Sequence, residues 1–185
     1  MTVLTALMGF LLLSGGAIAA PARAAAPSFP TYEVMLTAYN AVAAQTDGNP
    51  LETASGAYSN PHIVAARSRD LAEELPFGTI IELDGSNISP DNTCGYHVVA
   101  RRIGYRVIAD TMNKRYTDRI DVLFDTTANY TGTNGSVTNA ADILGICKGV
   151  TVRVVGRVDI QRIPKTQAEL ARLVHADSGD LALNK

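Results

Sequence analysis

The chain has 185 residues, with 16 basic and 18 acidic side chains, a net charge of -2 and 46% hydrophobic residues. That balance excludes a nucleic-acid binder held by charge, while the length and apolar content suit one packed domain. With seven Tyr, four Phe and no Trp, it also leaves little large aromatic surface for stacking on sugars.

Leu4 to Leu13 is an apolar run too short to span a bilayer, and Ala22-Arg23-Ala24 has the small-x-small pattern cut by signal peptidase. These features predict an export signal over residues 1–24. Its removal takes away Arg23 and no acid, leaving about 161 residues with 15 basic against 18 acidic side chains. No Cys follows the apolar run, which argues against a lipid anchor, and no later segment is long and apolar enough for a transmembrane helix. Cys94 and Cys147 would then sit in a compartment that permits disulfides. Paired, they close a loop of about 50 residues worth roughly 4 kcal/mol. Separate buried thiols or reactive groups are the alternatives, and no Cys-x-x-Cys pair is present.

Residues 25–31 read as a proline-rich leader. Tyr32 to Tyr39 alternates Val34, Leu36 and Ala38 with polar positions and predicts the first strand. Ala41 to Pro61 is a long loop with turn signals at Asp47-Gly48-Asn49-Pro50 and Ser55-Gly56, the kind of segment that carries function. His62 to Ala66 predicts a short strand, and Ser68 to Leu75 a helical turn capped by Ser68 and stopped before Pro76. Gly78 to Leu83 is a strand closed by Asp84-Gly85, followed by a loop over 86–92. Tyr96 to Ala109 predicts two short strands around Arg101 to Gly104.

The stretch Ile108 to Phe124 organises the rest. It sets Asp110 at the end of one apolar run and Asp121 inside the next, with a polar turn between. Ile120, Val122 and Phe124 alternate with Asp121 and Leu123, so the two-residue strand period turns Asp121 away from the apolar face. Two carboxylates held close together repel, and a desolvated one keeps its proton to higher pH, as an acid catalyst requires. Thr126 to Thr138 is polar and Gly-rich, and a short helix follows near Asn139 to Leu144. Val150 to Ile160 alternates as a strand, and Thr166-x-x-Glu169 is a capping box opening a helix through about His175, with Leu170, Leu173 and Val174 on one side. Many short strands, Gly-rich turns and few helices argue a barrel or sandwich. No internal repeat is visible.

Several short motifs fall in one order: Thr37-Ala38-Tyr39, Thr53-Ala54-Ser55-Gly56, Leu75-Pro76-Phe77-Gly78-Thr79, Ile108-Ala109-Asp110-Thr111, Arg119-Ile120-Asp121, Ala141-Asp142-Ile143-Leu144-Gly145 and Gly149-Val150-Thr151-Val152. Together they resemble the three-aspartate (3D) domain, which is similar to the barrel of membrane-bound lytic transglycosylase A and to rare lipoprotein A. The resemblance covers roughly Glu33 to Val155. It implies a mainly β fold, a six-stranded double-psi β-barrel over residues 32–160 with short helices, then a C-terminal helix and tail over 161–185. It also implies an exported, periplasmic or secreted enzyme that needs no cofactor and cleaves peptidoglycan glycan strands, leaving a 1,6-anhydro sugar. Asp121 matches the acid/base, Asp110 the aspartate of the Asp-Thr motif, and Asp70 approximately the third aspartate. Thr53, Ser55, Gly56, Thr79, Thr111 and Tyr116 would line the groove. Where the family has Gly-Gly after Asp-Thr, this chain has Met112-Asn113, which predicts a narrower or differently shaped groove.

Blander readings stand beside these. Asp121 could pair with Arg119 or a turn amide, Asp110 could fix a turn, and Asp70 could be a surface acid. Lys114, Arg115 and Tyr116, in the turn between the two aspartates, could stack on a sugar ring or meet peptide carboxylates, or simply form a solvated turn. His62, His97 and His175 lack metal-ligand spacing, and no Gly-x-Ser-x-Gly elbow supports a Ser-His-Asp triad. The rival function is a non-catalytic peptidoglycan-binding module of the same fold; a third is an envelope protein that binds a cell-wall protein partner.

Overall fold

The computed structural model describes residues 30–46 and 49–183, with side chains through Ala176. The export signal and most of the leader lie outside the described residues. Eight strands form: β1 Thr31–Asn40, β2 Val64–Arg67, β3 Thr79–Asp84, β4 Arg106–Thr111, β5 Arg119–Phe124, β6 Asn129–Thr131, β7 Val137–Asn139 and β8 Cys147–Arg157. Six of them close a barrel in the order β1-β5-β2-β4-β3-β8, and β6 and β7 make a separate hairpin.

The pairing pattern is interlocked. β1 with β5 and β2 with β4 run parallel, and the other four neighbouring pairs are antiparallel. Exchanging β1, β2 and β3 for β4, β5 and β8 reproduces the same set of pairs. The fold is therefore a double-psi barrel with an internal pseudo-two-fold that no sequence repeat announces. Closure leaves no open edge among these six strands.

Alternation decides what goes inside. Val34 and Leu36, Ala65, Ile81 and Leu83, Ile108, Ile120 and Val122, and Val150 and Val152 meet in one interior cluster, so all six strands contribute. A second cluster on the outer wall holds Tyr39, Val64, Ala66, Ala109, Met112 and Leu123. A third, Ile63, Ile80, Val107 and Val155, is covered by Leu170 and Val174 of the C-terminal helix α3 (Gln167–Leu183). Its capping box forms: Glu169 N–H donates to Thr166 Oγ1 at 3.2 Å, and Thr166 N–H to Glu169 Oε2 at 3.1 Å. Leu173 stays exposed at 40%, one step off the covered stripe.

Two expectations are corrected. Tyr96 to Ala109 is not a pair of strands but helix α1 (Tyr96–Ile103) followed by β4. The four-residue spacing of Val99 and Ile103, both buried against the interior cluster, outweighs the β preference of its branched residues. The turn after β2 is a short 3-10 helix, Arg69–Ala72, and Ser68 does not cap it. Ser68 is fully buried, and its hydroxyl accepts from Arg119 N–H at 3.0 Å. The short helix α2 spans Ala140–Leu144 and is capped by Asn139, whose side chain accepts from Ala141 N–H.

Cys94 and Cys147 form a disulfide with Cα atoms 5.2 Å apart, closing a 53-residue separation and tying the approach to α1 to the start of β8. Replacing both with Ser should lower unfolding free energy by roughly 4 kcal/mol. Urea denaturation checks this; an unchanged midpoint would mean the bridge constrains nothing that the barrel has not already fixed.

Candidate active site

Four residues line up across adjacent strands. Thr37 on β1 pairs with Asp121 on β5, Asp121 pairs with Ala66 on β2, and Ala66 pairs with Asp110 on β4. Two strand spacings put the aspartate Cα atoms about 10 Å apart, with only the Ala66 methyl between their side chains. Their carboxyls can therefore face one ligand.

A bulge makes this possible. Ala65 pairs with Ile108, but the next residue, Ala66, pairs with Asp110, so Ala109 is the extra residue. Under strict alternation Asp110 would follow Ile108 into the barrel interior. The slip turns it outward onto the face of Asp121. The backbone freed there is used by neighbouring loops: Ser55 N–H donates to the Ala109 carbonyl at 3.1 Å and Gly78 N–H to that of Ile108 at 2.8 Å.

Above the row lies a cleft of about 640 Å3. Its lining includes Tyr39, Thr53, Ala54, Ala66, Asp110, Thr111, Met112, Arg115, Tyr116 and Asp121. The Thr-Ala-Ser-Gly segment forms one wall as a tight turn. Thr53 N–H and Oγ1 donate to the Ala57 carbonyl at 2.9 and 3.1 Å, and Gly56 supplies the left-handed backbone at φ 81°.

The two carboxyls differ in their surroundings. Asp110 accepts three hydrogen bonds: Tyr39 Oη at 2.8 Å on Oδ2, and the N–H groups of Ala54 at 2.9 Å and Thr111 at 2.8 Å on Oδ1. It thereby pins the Thr53–Ala57 turn to the barrel wall. Asp121 accepts one, from Thr37 Oγ1 at 2.8 Å. Burial pushes Asp121 up to about 6, opposed by the Thr37 hydrogen bond and the Arg119 charge and assisted by Asp110. Burial also drives the Tyr39 phenol far up, with Asp110 adding to it, so Tyr39 stays a donor. Thr37→Val should therefore raise the Asp121 pKa further, because the bond it removes favours the carboxylate. Carboxyl NMR titration reads this directly, and a downward shift would contradict the assignment.

The structure brings Asp121, Asp110, Thr53, Thr111 and Tyr116 together in the cleft, with Ser55 Oγ 3.0 Å from Thr53 Oγ1. It does not bring in the other three. Asp70 is exposed outside the lining and accepts from Asp118 N–H at 2.8 Å, holding the turn into β5, where Asp118 adopts φ 48°. Residual burial acts to raise its pKa, but hydrogen bonds from Asp118 N–H and the Ser68 hydroxyl hold it below the usual range. Thr79 is fully buried and donates to the Pro76 carbonyl at 2.7 Å. Gly56 faces a second groove beside Tyr58, His62 and Lys165.

Sequence reading missed Thr37, Tyr39 and Ala66 as site residues. Alternation puts Thr37 and Tyr39 on one face of β1, but what they face depends on a parallel partner 84 residues away. Among the described residues, no three His, Cys, Asp or Glu side chains gather to hold a metal ion. No protein-family model matches the chain, and no curated protein matches it.

Proposed function

We propose that the protein is an exported, peptidoglycan-active enzyme that cleaves the glycan strand without water, with Asp121 as acid and then base. The observation that carries this reading is the contrast on the cleft floor. Asp121 is a partly buried, desolvated carboxyl with one donor and a pKa near 6, two strands from Asp110, whose oxygens are occupied as acceptors. Perturbed carboxyls in clefts mark acid/base sites.

In this mechanism protonated Asp121 gives its proton to the glycosidic oxygen as the bond from that oxygen to the anomeric carbon breaks. The resulting carboxylate takes the proton of the muramyl 6-hydroxyl, and the 6-oxygen bonds to the anomeric carbon. Asp121 ends protonated, and the product is a 1,6-anhydro sugar. One carboxyl suffices, unlike hydrolysis, where a second activates water or forms a glycosyl ester. Tyr39 and Ala54 hold Asp110 in place, and Asp110 holds the wall that would contact the sugar. The disulfide is compatible with an oxidising compartment. No helix among the described residues is long and apolar enough to cross a membrane.

One observation favours a binding module instead. Met112 is buried and packed in the outer-wall cluster where the 3D family has glycine, which fills part of the groove. Digestion of sacculi in 18O-labelled water tests the chemistry: unlabelled anhydro ends are expected. Labelled reducing ends would mean hydrolysis, and sacculus binding with no soluble product would mean a binding module.

A further inference from the structure

The turn between the two cleft aspartates and the first residue of β5 bring two arginines onto one aromatic ring. The guanidinium carbons of Arg115 and Arg119 lie 4.7 and 4.6 Å from the centroid of the Tyr116 ring, and Arg115 Nη2 donates to Tyr116 Oη at 2.7 Å. Two like charges are thus held at most about 9 Å apart, a repulsive arrangement unless something negative joins them. Among the described residues neither arginine is within ion-pair distance of a carboxylate, and Arg119 acts on Asp121 only through space.

Arg119 is only partly satisfied. Its Nη2 meets the Met35 sulfur at 3.7 Å, and its Nε is buried with no hydrogen-bond partner. A buried donor left unmade is costly, and a carboxylate held beside the guanidinium would offset part of that cost through its charge. Arg115 and Tyr116 line the cleft, and the charge of Arg119 is felt by Asp121. Glu52, the remaining acid of the lining, is 3.3 Å from the Asn49 amide rather than on either arginine.

We propose that the Arg115–Tyr116–Arg119 stack is a carboxylate-binding subsite of this cleft. It selects glycan bearing an acidic substituent at the sugar next to the scissile bond. The guanidinium fork matches a carboxylate, and stacking on one ring orders both forks before the ligand arrives. This inference rests on the glycan reading above. In peptidoglycan the carboxylate has two sources: the lactyl group of peptide-free muramic acid, or the stem peptide. A carboxylate bound here would also offset the Arg119 charge that favours ionised Asp121, so ligand binding would help keep the acid protonated.

The test is calorimetric titration of Asp121→Asn, which prevents turnover, with three tetrasaccharides: peptide-free muramyl-containing, peptide-bearing, and neutral chitotetraose. At least one acidic ligand is expected to bind about tenfold more tightly than chitotetraose, and the stronger of the two identifies the source. The preference should shrink with added salt and disappear in Arg115→Gln and Arg119→Gln, while Arg119→Lys retains part of it. Arg115 is exposed, so its variant tests the subsite without threatening the fold. Equal affinity for all three ligands, or a preference that survives both Gln variants, overturns the subsite. Preference without any cleavage by wild type sinks the enzyme reading alone, cleavage without preference sinks this inference alone, and no binding to any glycan sinks both.

Discussion

Asp121→Asn should lose about 10^2- to 10^4-fold in glycan cleavage, the range expected when a single general acid/base is removed. It should also be more stable than wild type at alkaline pH. The Asp121 pKa stands near 6 against an ordinary 3.8, so the fold prefers the neutral acid. That contribution is intact below pH about 4 and is lost as pH rises through about 6. At pH 8 the buried carboxylate then costs up to about 3 kcal/mol, which the neutral amide avoids while still accepting from Thr37. Urea midpoints of the two proteins should coincide near pH 4 and separate by pH 8. Cleavage by wild type should fall about tenfold per pH unit above pH 6, because the first step needs the protonated form. A variant equally stable at both pH values would mean Asp121 is not desolvated.

The second large effect belongs to Arg106, which is fully buried at the heart of the fold. Its guanidinium donates to the carbonyls of Ile103 at 2.6 Å, Pro61 at 2.7 Å, Arg102 at 2.8 Å and Leu123 at 3.0 Å, and it lies 5.6 Å from the Phe124 ring centroid. Burial lowers its pKa to about 9, which still leaves it charged at neutral pH. One side chain thus satisfies carbonyls from the end of α1, the loop before β2 and the C-terminal end of β5. Arg106→Met keeps volume but strands those acceptors, and should cost about 3–5 kcal/mol, a large share of a domain's stability. Arg106→Lys should recover little, since an ammonium cannot span the same fan of carbonyls. Denaturant unfolding of both variants checks this; a loss under about 1 kcal/mol would show that water or backbone shifts replace the guanidinium.

Local pattern made much of the barrel readable. β1, β5 and β8 follow the two-residue period, and Thr166 with Glu169 marks the start of α3 within a residue. The α1 segment misled because Val98, Val99 and Ile103 carry β preference, while the four-residue match of Val99 and Ile103 gains meaning only once an interior exists for them to meet. The order of strands around the ring was not legible from pattern, since it depends on parallel partners far apart in sequence.

The site divides in the same way. Both aspartates stand out in the sequence, and the strand period turns Asp121 away from Ile120 and Val122, which pack in the interior. For Asp110 the same period points the wrong way, because nothing in Ile108-Ala109-Asp110 announces the bulge that re-aims it. Asp70, which matches the family's third aspartate only approximately, holds a turn instead of lining the cleft. Thr37 and Tyr39, which tune and fix the two carboxyls, acquire those roles only through pairing across the ring.

The most direct test of Asp121 as acid/base in glycan cleavage is digestion of purified sacculi by wild type beside Asp121→Asn, both checked for native circular dichroism, with mass spectrometry of the soluble fragments. The mechanism predicts anhydro-muropeptides from wild type and none from the variant. Equal product from both folded proteins, or none from either, would contradict it.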